Sequence, residues 1–167
     1  MDIIPRREHP KPQFRRDQWM NLNGEWLFTI DSGKSGRDRD FYDDMSYFDR
    51  KIIVPFCPES VLSGIGITDF MECVWYAKEV AFPESFRTGK TILHIGACDY
   101  ETQVWVNGQD VGRHIGGYAS FSFDVTSAIC DGKARIVICA TDYTRDHGQP
   151  GGKQSSAYDS HRCSYTR

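Results

Sequence analysis

The chain has 167 residues, of which 40% are hydrophobic and 26% charged, and its net charge is −3. This length and composition suit one domain with a buried core and do not suit a chain that is disordered throughout or fibrous. The 20 basic residues are scattered among 23 acidic ones, so neither a nucleic-acid partner nor an anionic membrane is expected. No apolar run approaches the roughly 18 residues of a membrane span, and no signal-peptide pattern follows Met1. We therefore expect a soluble, cytoplasmic domain.

The six cysteines contain no C-x-x-C pair. Cys73, Cys98, Cys130 and Cys139 lie in or beside apolar stretches, where a reduced cysteine behaves as a small core residue. Their even number leaves a disulfide framework formally possible, but a chain with this much core does not need one. The favoured interpretation is six free thiols in a reducing compartment.

The first 55 residues predict an arm, two strands and a long connection. Residues 1–18 are basic, contain proline and show no periodicity, which is typical of an arm that wraps around a domain. Residues 25–30 alternate apolar and polar side chains, as a half-buried strand does. Residues 31–50 form a long polar connection with scattered aromatics and a short helical turn near 43–48. A short strand at 51–54 ends at Pro55.

From residue 73 onward the alternation becomes regular. The pair Asn107-Gly108 separates two alternating runs, which is the strongest local signal for a two-residue hairpin, because both residues of a type I′ turn need positive φ. Residues 134–140 are almost continuously apolar and suit a buried strand. The other predicted strands are 74–81, 91–96, 102–106, 109–114 and 120–125. About eight short strands and almost no helical period predict an all-β fold, an antiparallel β-sandwich.

The last 25 residues differ from the rest. Residues 143–167 contain no Val, Ile, Leu, Met, Phe or Trp and therefore cannot bury themselves. They form either a disordered tail or a long functional loop cut off before its return strand. The expected organisation is an arm at 1–18, a sandwich domain at 19–142 and a polar loop at 143–167.

Motifs for catalysis or metal binding are incomplete. The sequence Gly89-Lys90-Thr91 lacks the upstream glycine of a phosphate-binding loop, and residues 63–66 lack the nucleophile elbow G-x-S-x-G. His161 and Cys163 have no second ligand pair at zinc spacing, so no metal and no cofactor is predicted. Asp142 is the best-placed carboxylate, since it joins a buried strand to the polar loop. The alternative is that Asp142 is a turn residue at a strand end.

Several short sequence motifs occur in the same order as in the N-terminal sugar-binding domain of glycoside hydrolase family 2, which this chain therefore resembles. That family includes β-galactosidases, β-glucuronidases and β-mannosidases, and the resemblance implies a jelly roll of the galactose-binding-domain type. The motifs are LNGEWLF (22–28), VP (54–55), VWY (74–76), GACDY (96–100), VWVNG (104–108), HIGGY (114–118) and FSFDVT (121–126).

The resemblance also implies what this chain lacks. The family uses two glutamates on a (β/α)₈ barrel and a retaining mechanism, and its acid/base glutamate follows an asparagine. The three asparagines here precede Leu, Gly and Gly, so no catalytic residue is expected in this chain. The implied partners are downstream immunoglobulin-like and barrel domains, a carbohydrate substrate and further copies of the full enzyme. A β-galactoside is the first substrate expectation, and the alternatives are a β-glucuronide, an autonomous carbohydrate-binding module or a purely structural domain.

Two carboxylates are the candidate substrate-binding residues. Asp69 lies in a glycine-rich connection, and Asp142 ends the most apolar predicted strand. In galactosidase relatives, similarly placed groups approach the sugar, and one can ligate a monovalent cation. We therefore expect Asp69, Asp142 and the following loop to face the barrel and line the sugar pocket. Without that docking surface the loop is expected to be mobile.

Overall fold

A computed structural model describes residues 4–86, 88–143 and 148–150. These residues contain eight strands and five short 3₁₀ turns, so the predicted all-β class is confirmed. No helix in the described ranges is long and apolar enough to cross a membrane. The strands are β1 (Gly24–Ile30), β2 (Arg50–Val54), β3 (Cys73–Ala81), β4 (Ile92–Ile95), β5 (Glu101–Val106), β6 (Gln109–Ile115), β7 (Phe121–Asp124) and β8 (Lys133–Thr141).

The strands form two antiparallel sheets. Six strands pair in the order β2-β1-β3-β8-β5-β6, and β4 pairs with β7 in a second, two-stranded sheet. The inward side chains of the large sheet pack against those of the small one, as alternation on half-buried strands predicts. This arrangement confirms the predicted sandwich. The main core includes Trp26, Phe28, Ile52, Val74, Leu93, Val104, Val106, Val125 and Ile136.

The predicted hairpin turn lies where the sequence places it. Asn107 and Gly108 have φ values of 50° and 80°, and they connect the paired residues Val106 and Gln109. The Asn107 side chain also holds the neighbouring strand, because its Oδ1 accepts from the Arg135 N–H at 2.8 Å. This register keeps Val104 and Val106 fully buried, since a shift of one residue would turn both to the opposite face.

A second core covers the outer face of the large sheet. Trp75 and Trp105 stack there with ring centroids 5.3 Å apart, and Tyr42 stacks on Trp105 at 5.2 Å. Phe41, from the same connection as Tyr42, packs against Trp75 at 5.5 Å. The predicted helical turn in this connection is present at Met45–Tyr47. The polar connection of the sequence is therefore also an aromatic cover for the sheet.

Cysteine placement follows the prediction only in part. The five described cysteines form no disulfide with one another, and Cys73 and Cys139 are buried with their Sγ atoms 3.7 Å apart. Cys130 is exposed, so its assignment to the core is wrong. It lies in the turn before β8, where Asp131 adopts a positive φ of 50° and the chain reverses outside the core. Cys163 lies outside the described residues.

Candidate functional site

Both candidate carboxylates belong to one end of the six-stranded sheet. Cys73 at the start of β3 pairs with Thr141 at the end of β8, and Glu101 at the start of β5 pairs with the same Thr141. The connection that carries Asp69 therefore enters β3 at the end where Asp142 leaves β8. We call this region, comprising residues 31–37, 69–73, 99–101 and 141–143, the Asp142 end.

Asp142 is fully buried. Its N–H donates to the carbonyl oxygen of Glu72 at 2.9 Å, which extends the β3–β8 pairing by one step. The side-chain amide of Gln149 donates to Asp142 Oδ1. The carboxylate is therefore held in a hydrogen-bonded position inside the protein, beside the segment that precedes β3.

Asp69 has the opposite environment. It is exposed, and its carboxylate accepts a hydrogen bond from the adjacent Phe70 N–H at 2.7 Å. It precedes Glu72 by three residues, so it shares with Asp142 the approach to β3. The two predicted site residues thus lie on neighbouring segments, one buried and one open to solvent. Their role in binding sugar stays a prediction, as does the mobility of the loop, whose residues 144–147 and 151–167 lie outside the described ranges.

A third carboxylate at this end, Asp31, was missed by the sequence reasoning. It is buried directly after β1, and its two oxygens accept from the N–H groups of Ser35 (3.0 Å) and Gly36 (2.7 Å). The indole Nε1 of Trp75 donates to the same carboxylate at 3.2 Å. Asp31 therefore anchors the start of the aromatic cover to the sheet. Asp31 directly follows a predicted strand and begins a polar connection, as Asp142 does, and this position could have singled it out.

Charged side chains surround these carboxylates in pairs. Lys34 Nζ lies 2.6 Å from Glu72 Oε2 and 4.4 Å from the ring centroid of Tyr143. The hydrogen bond to Glu72 raises the pKa of Lys34 above its usual value. Arg37 and Arg113 bind the two oxygens of Glu101, at 3.0 and 2.8 Å. Lys34 and Arg37 are therefore each held in place by an ion pair with a glutamate.

A small cavity of about 110 Å³ lies among Asp31, Arg37 and Glu101, and neither Asp69 nor Asp142 lines it. Pockets for drug-sized ligands span about 300–1,000 Å³, so this cavity by itself admits a hydroxyl group or water rather than a sugar ring. In the described ranges, no group of three or more His, Cys, Asp or Glu is arranged to hold a metal ion. The chemistry available is hydrogen bonding to hydroxyl or carboxylate groups at the cavity mouth. Its lining residues are Asp31, Lys34, Arg37, Cys73, Trp75, Glu101, Cys139, Thr141 and Tyr143.

Comparison with known proteins identifies the sandwich. The sequence profile of the family "Glycosyl hydrolases family 2, sugar binding domain" matches residues 19–149. A β-glucuronidase of Paenibacillus borealis is 26% identical over 80% of this chain and 22% of its own length. A β-galactosidase of Thermoanaerobacter pseudethanolicus is 28% identical over 77% of this chain and 17% of its own.

Solved structures agree on the fold. A β-glucuronidase from Ruminococcus gnavus superposes with a TM-score of 0.63 at 21% identity, over 72% of this chain and 21% of that one. The fold and the profile thus define a sugar-binding β-sandwich. The chain belongs to glycosyl hydrolases family 2, and it spans about a fifth of the length of the relatives it matches.

Proposed function

We propose that this chain is a non-catalytic sugar-binding domain of a longer β-glycosidase, and that its Asp142 end faces the substrate site of that enzyme. The match to the family's sugar-binding domain over residues 19–149 carries this proposal. The relatives' greater length supports a separate catalytic unit, of the barrel type, that supplies the retaining chemistry. Described cysteines that form no disulfide with one another suit a cytoplasmic enzyme.

The domain contributes positioned hydrogen-bonding groups rather than a nucleophile. Asp69 presents an exposed carboxylate, which can accept hydrogen bonds from sugar hydroxyls. The buried Asp142 holds the residue before the polar loop against Glu72, through its backbone N–H. Because the loop is rich in side chains that bind hydroxyls and lacks Val, Ile, Leu and Met, it suits a surface completed by a second domain.

The substrate we propose is a terminal β-galactoside or β-glucuronide. Both activities appear among the relatives at similar identity, so the two are tested side by side. Kinetics of the longer enzyme with nitrophenyl β-galactoside and nitrophenyl β-glucuronide distinguish them. The isolated 167-residue chain should hydrolyse neither compound, since it lacks the family's Asn-Glu pair. Turnover by the pure chain, with contaminating enzyme excluded, would contradict its non-catalytic role.

Substitution at Asp142 tests the placement of the site. In the longer enzyme, Asp142→Asn removes the charge and retains an acceptor for Gln149. We expect kcat/KM to fall about 5- to 150-fold, which corresponds to about 1–3 kcal/mol of transition-state binding. Asp142→Ala should lower it at least as far and also reduce the Tm.

The control is Asp38→Asn, the same change at an exposed position outside the Asp142 end, and it should leave kcat/KM unchanged. If Asp142→Asn lowers only the Tm and keeps wild-type kinetics, Asp142 is a scaffold residue at a strand end. That result would remove Asp142 from the substrate site while leaving the family assignment intact.

A further inference from the structure

Three aromatic rings in the cover of the large sheet form a continuous stack that begins in the interior. Trp75 is fully buried, and its ring centroid lies 5.3 Å from that of Trp105, with an angle of 22° between the planes. The Trp105 centroid lies in turn 5.2 Å from that of Tyr42, with an angle of 9°. Tyr42 is partly exposed, so this stack, which we call the aromatic ladder, leads from a buried indole to a phenol at the surface.

A carboxylate accepts a hydrogen bond at each end of the aromatic ladder. At the buried end, Trp75 Nε1 donates to the Asp31 carboxylate at 3.2 Å, and the adjacent negative charge makes it easier to remove an electron from the indole. At the surface end, Tyr42 Oη donates to Asp40 Oδ1 at 2.5 Å, the length of a charge-assisted hydrogen bond. An oxidised phenol is a very strong acid, so the exposed Asp40 carboxylate would take the phenolic proton as the electron leaves.

A second tyrosine in the same cover has a different environment. Phe41 lies between Trp75 and Tyr47, with its ring centroid 5.5 Å from the first and 4.2 Å from the second. A phenyl ring is much harder to oxidise than an indole or a phenol, so this branch is interrupted. The guanidinium of Arg39 also lies 4.7 Å from the Tyr47 centroid, where its positive charge opposes the loss of an electron. Tyr42 is therefore the favoured electron donor to the indoles.

We propose that the aromatic ladder is a relay for one-electron oxidation, which moves an oxidising equivalent from the interior of the domain to Tyr42. A one-electron oxidant of the radical class takes an electron from Trp75 and leaves an indole radical cation. Trp105 reduces that radical cation, Tyr42 reduces Trp105, and the phenolic proton of Tyr42 moves to Asp40. The products are the reduced oxidant, a neutral tyrosyl radical and a protonated carboxyl group.

The relay would protect oxidisable groups in the interior. Cys73 and Cys139 pack in the same core as Trp75 and Trp105, so an oxidising equivalent that stayed on the indoles would remain close to two thiols. At Tyr42, a soluble thiol or an ascorbate-type reductant can donate a hydrogen atom to the phenoxyl oxygen, and Asp40 then releases its proton to water. The inference rests on the aromatic cover and is independent of the sugar-binding role.

Laser photo-ionisation of tryptophan in the 167-residue chain tests the relay, because it creates indole radicals without an added oxidant. Transient absorption distinguishes indole radicals from tyrosyl radicals. We expect the indole signal to decay as the tyrosyl signal grows, at a rate independent of protein concentration, since the transfer occurs within one molecule. The other two of the four tryptophans, Trp19 and Trp26, contribute a background that is the same in all tyrosine variants. A wild-type chain whose indole radicals decay without growth of the tyrosyl signal would overturn the proposal.

Tyr42→Phe keeps the ring in the stack and removes only the hydroxyl group. This variant should lose the tyrosyl phase, and its indole radicals should persist longer than those of the wild type. The matched control is Tyr47→Phe, the same change in the same cover, which should behave as the wild type does. Far-UV circular dichroism verifies that both variants fold. If Tyr42→Phe leaves the tyrosyl phase unchanged, or if Tyr47→Phe abolishes it, the relay does not run through Tyr42 and the proposal is wrong.

Asp40→Asn tests the proton acceptor. Asp40 has a φ of 54°, a conformation that Asn adopts readily, so the variant keeps the backbone and removes the basic group. It should slow the tyrosyl phase, and D₂O should slow the wild-type phase, because the phenolic proton moves with the electron. Asp38→Asn, an exposed position in the same connection, is the control and should keep the wild-type rate. A wild-type rate in Asp40→Asn would contradict the transfer of the proton to Asp40.

Discussion

The buried carboxylate of Asp31 offers the sharpest test of how the aromatic cover is held on the sheet. Its two oxygens accept three N–H groups, from Ser35, Gly36 and the Trp75 indole. Replacing Asp31 with Asn keeps the shape of the side chain and exchanges one acceptor oxygen for an NH₂ donor. Whichever way the amide is oriented, it places a donor against at least one of the three N–H groups.

The expected loss is about 1–3 kcal/mol, the cost of leaving a buried polar group without its partner. If the amide oxygen takes the position that faces Ser35, two N–H groups lose their acceptor, and the loss approaches the upper value. For a chain of this length, each kcal/mol lowers the Tm by about 2–4 °C. Asp31→Ala, which removes all three acceptor contacts, should destabilise the protein further.

Urea unfolding followed by tryptophan fluorescence measures this effect, since Trp75 itself contacts the carboxylate. The midpoint should fall while the slope of the transition stays constant, which marks a change in stability alone. Asp38→Asn, in the same connection but exposed, should stay within about 0.5 kcal/mol of the wild type. Equal stability of the Asp31 and Asp38 variants would refute the anchoring role of Asp31.

Three further outcomes are expected. Gly36→Ala should lower the free energy of unfolding in urea by about 1–3 kcal/mol, because the new Cβ would lie 2.6 Å from the buried Trp75 ring. The control is Gly96→Ala, whose new Cβ would have no atom within 4 Å. Hydrogen bonds from the Thr126 hydroxyl and then from Lys90 hold the pKa of Asp124 at about 2. The contribution of Asp124 to stability is therefore complete above pH about 4 and is lost as the pH falls toward 2. Asp124→Asn should remove that part of the pH dependence of the urea midpoint. In peptide mapping, iodoacetamide should label the exposed Cys130 before Cys139, whose pKa is raised by its hydrogen bond with Cys73 and by burial.

The sequence alone was sufficient for the strands and for the family. Strand alternation and the Asn107-Gly108 turn are local patterns, in which neighbours along the chain determine the backbone, and the structure reproduces them. The order of the family's sequence motifs is likewise a property of the chain itself. These signals needed no knowledge of which strands pair.

The tertiary structure decided which groups meet. Asp31 reaches Trp75 across 44 positions of sequence, and Tyr42 stacks on Trp105, so neither contact has a local signature. Whether Cys130 is buried depends on where the turn before β8 lies relative to the two sheets. Period-2 alternation specifies that a side chain faces one side of a sheet, but what covers that side is set by long-range packing, which residue spacing along the chain does not encode.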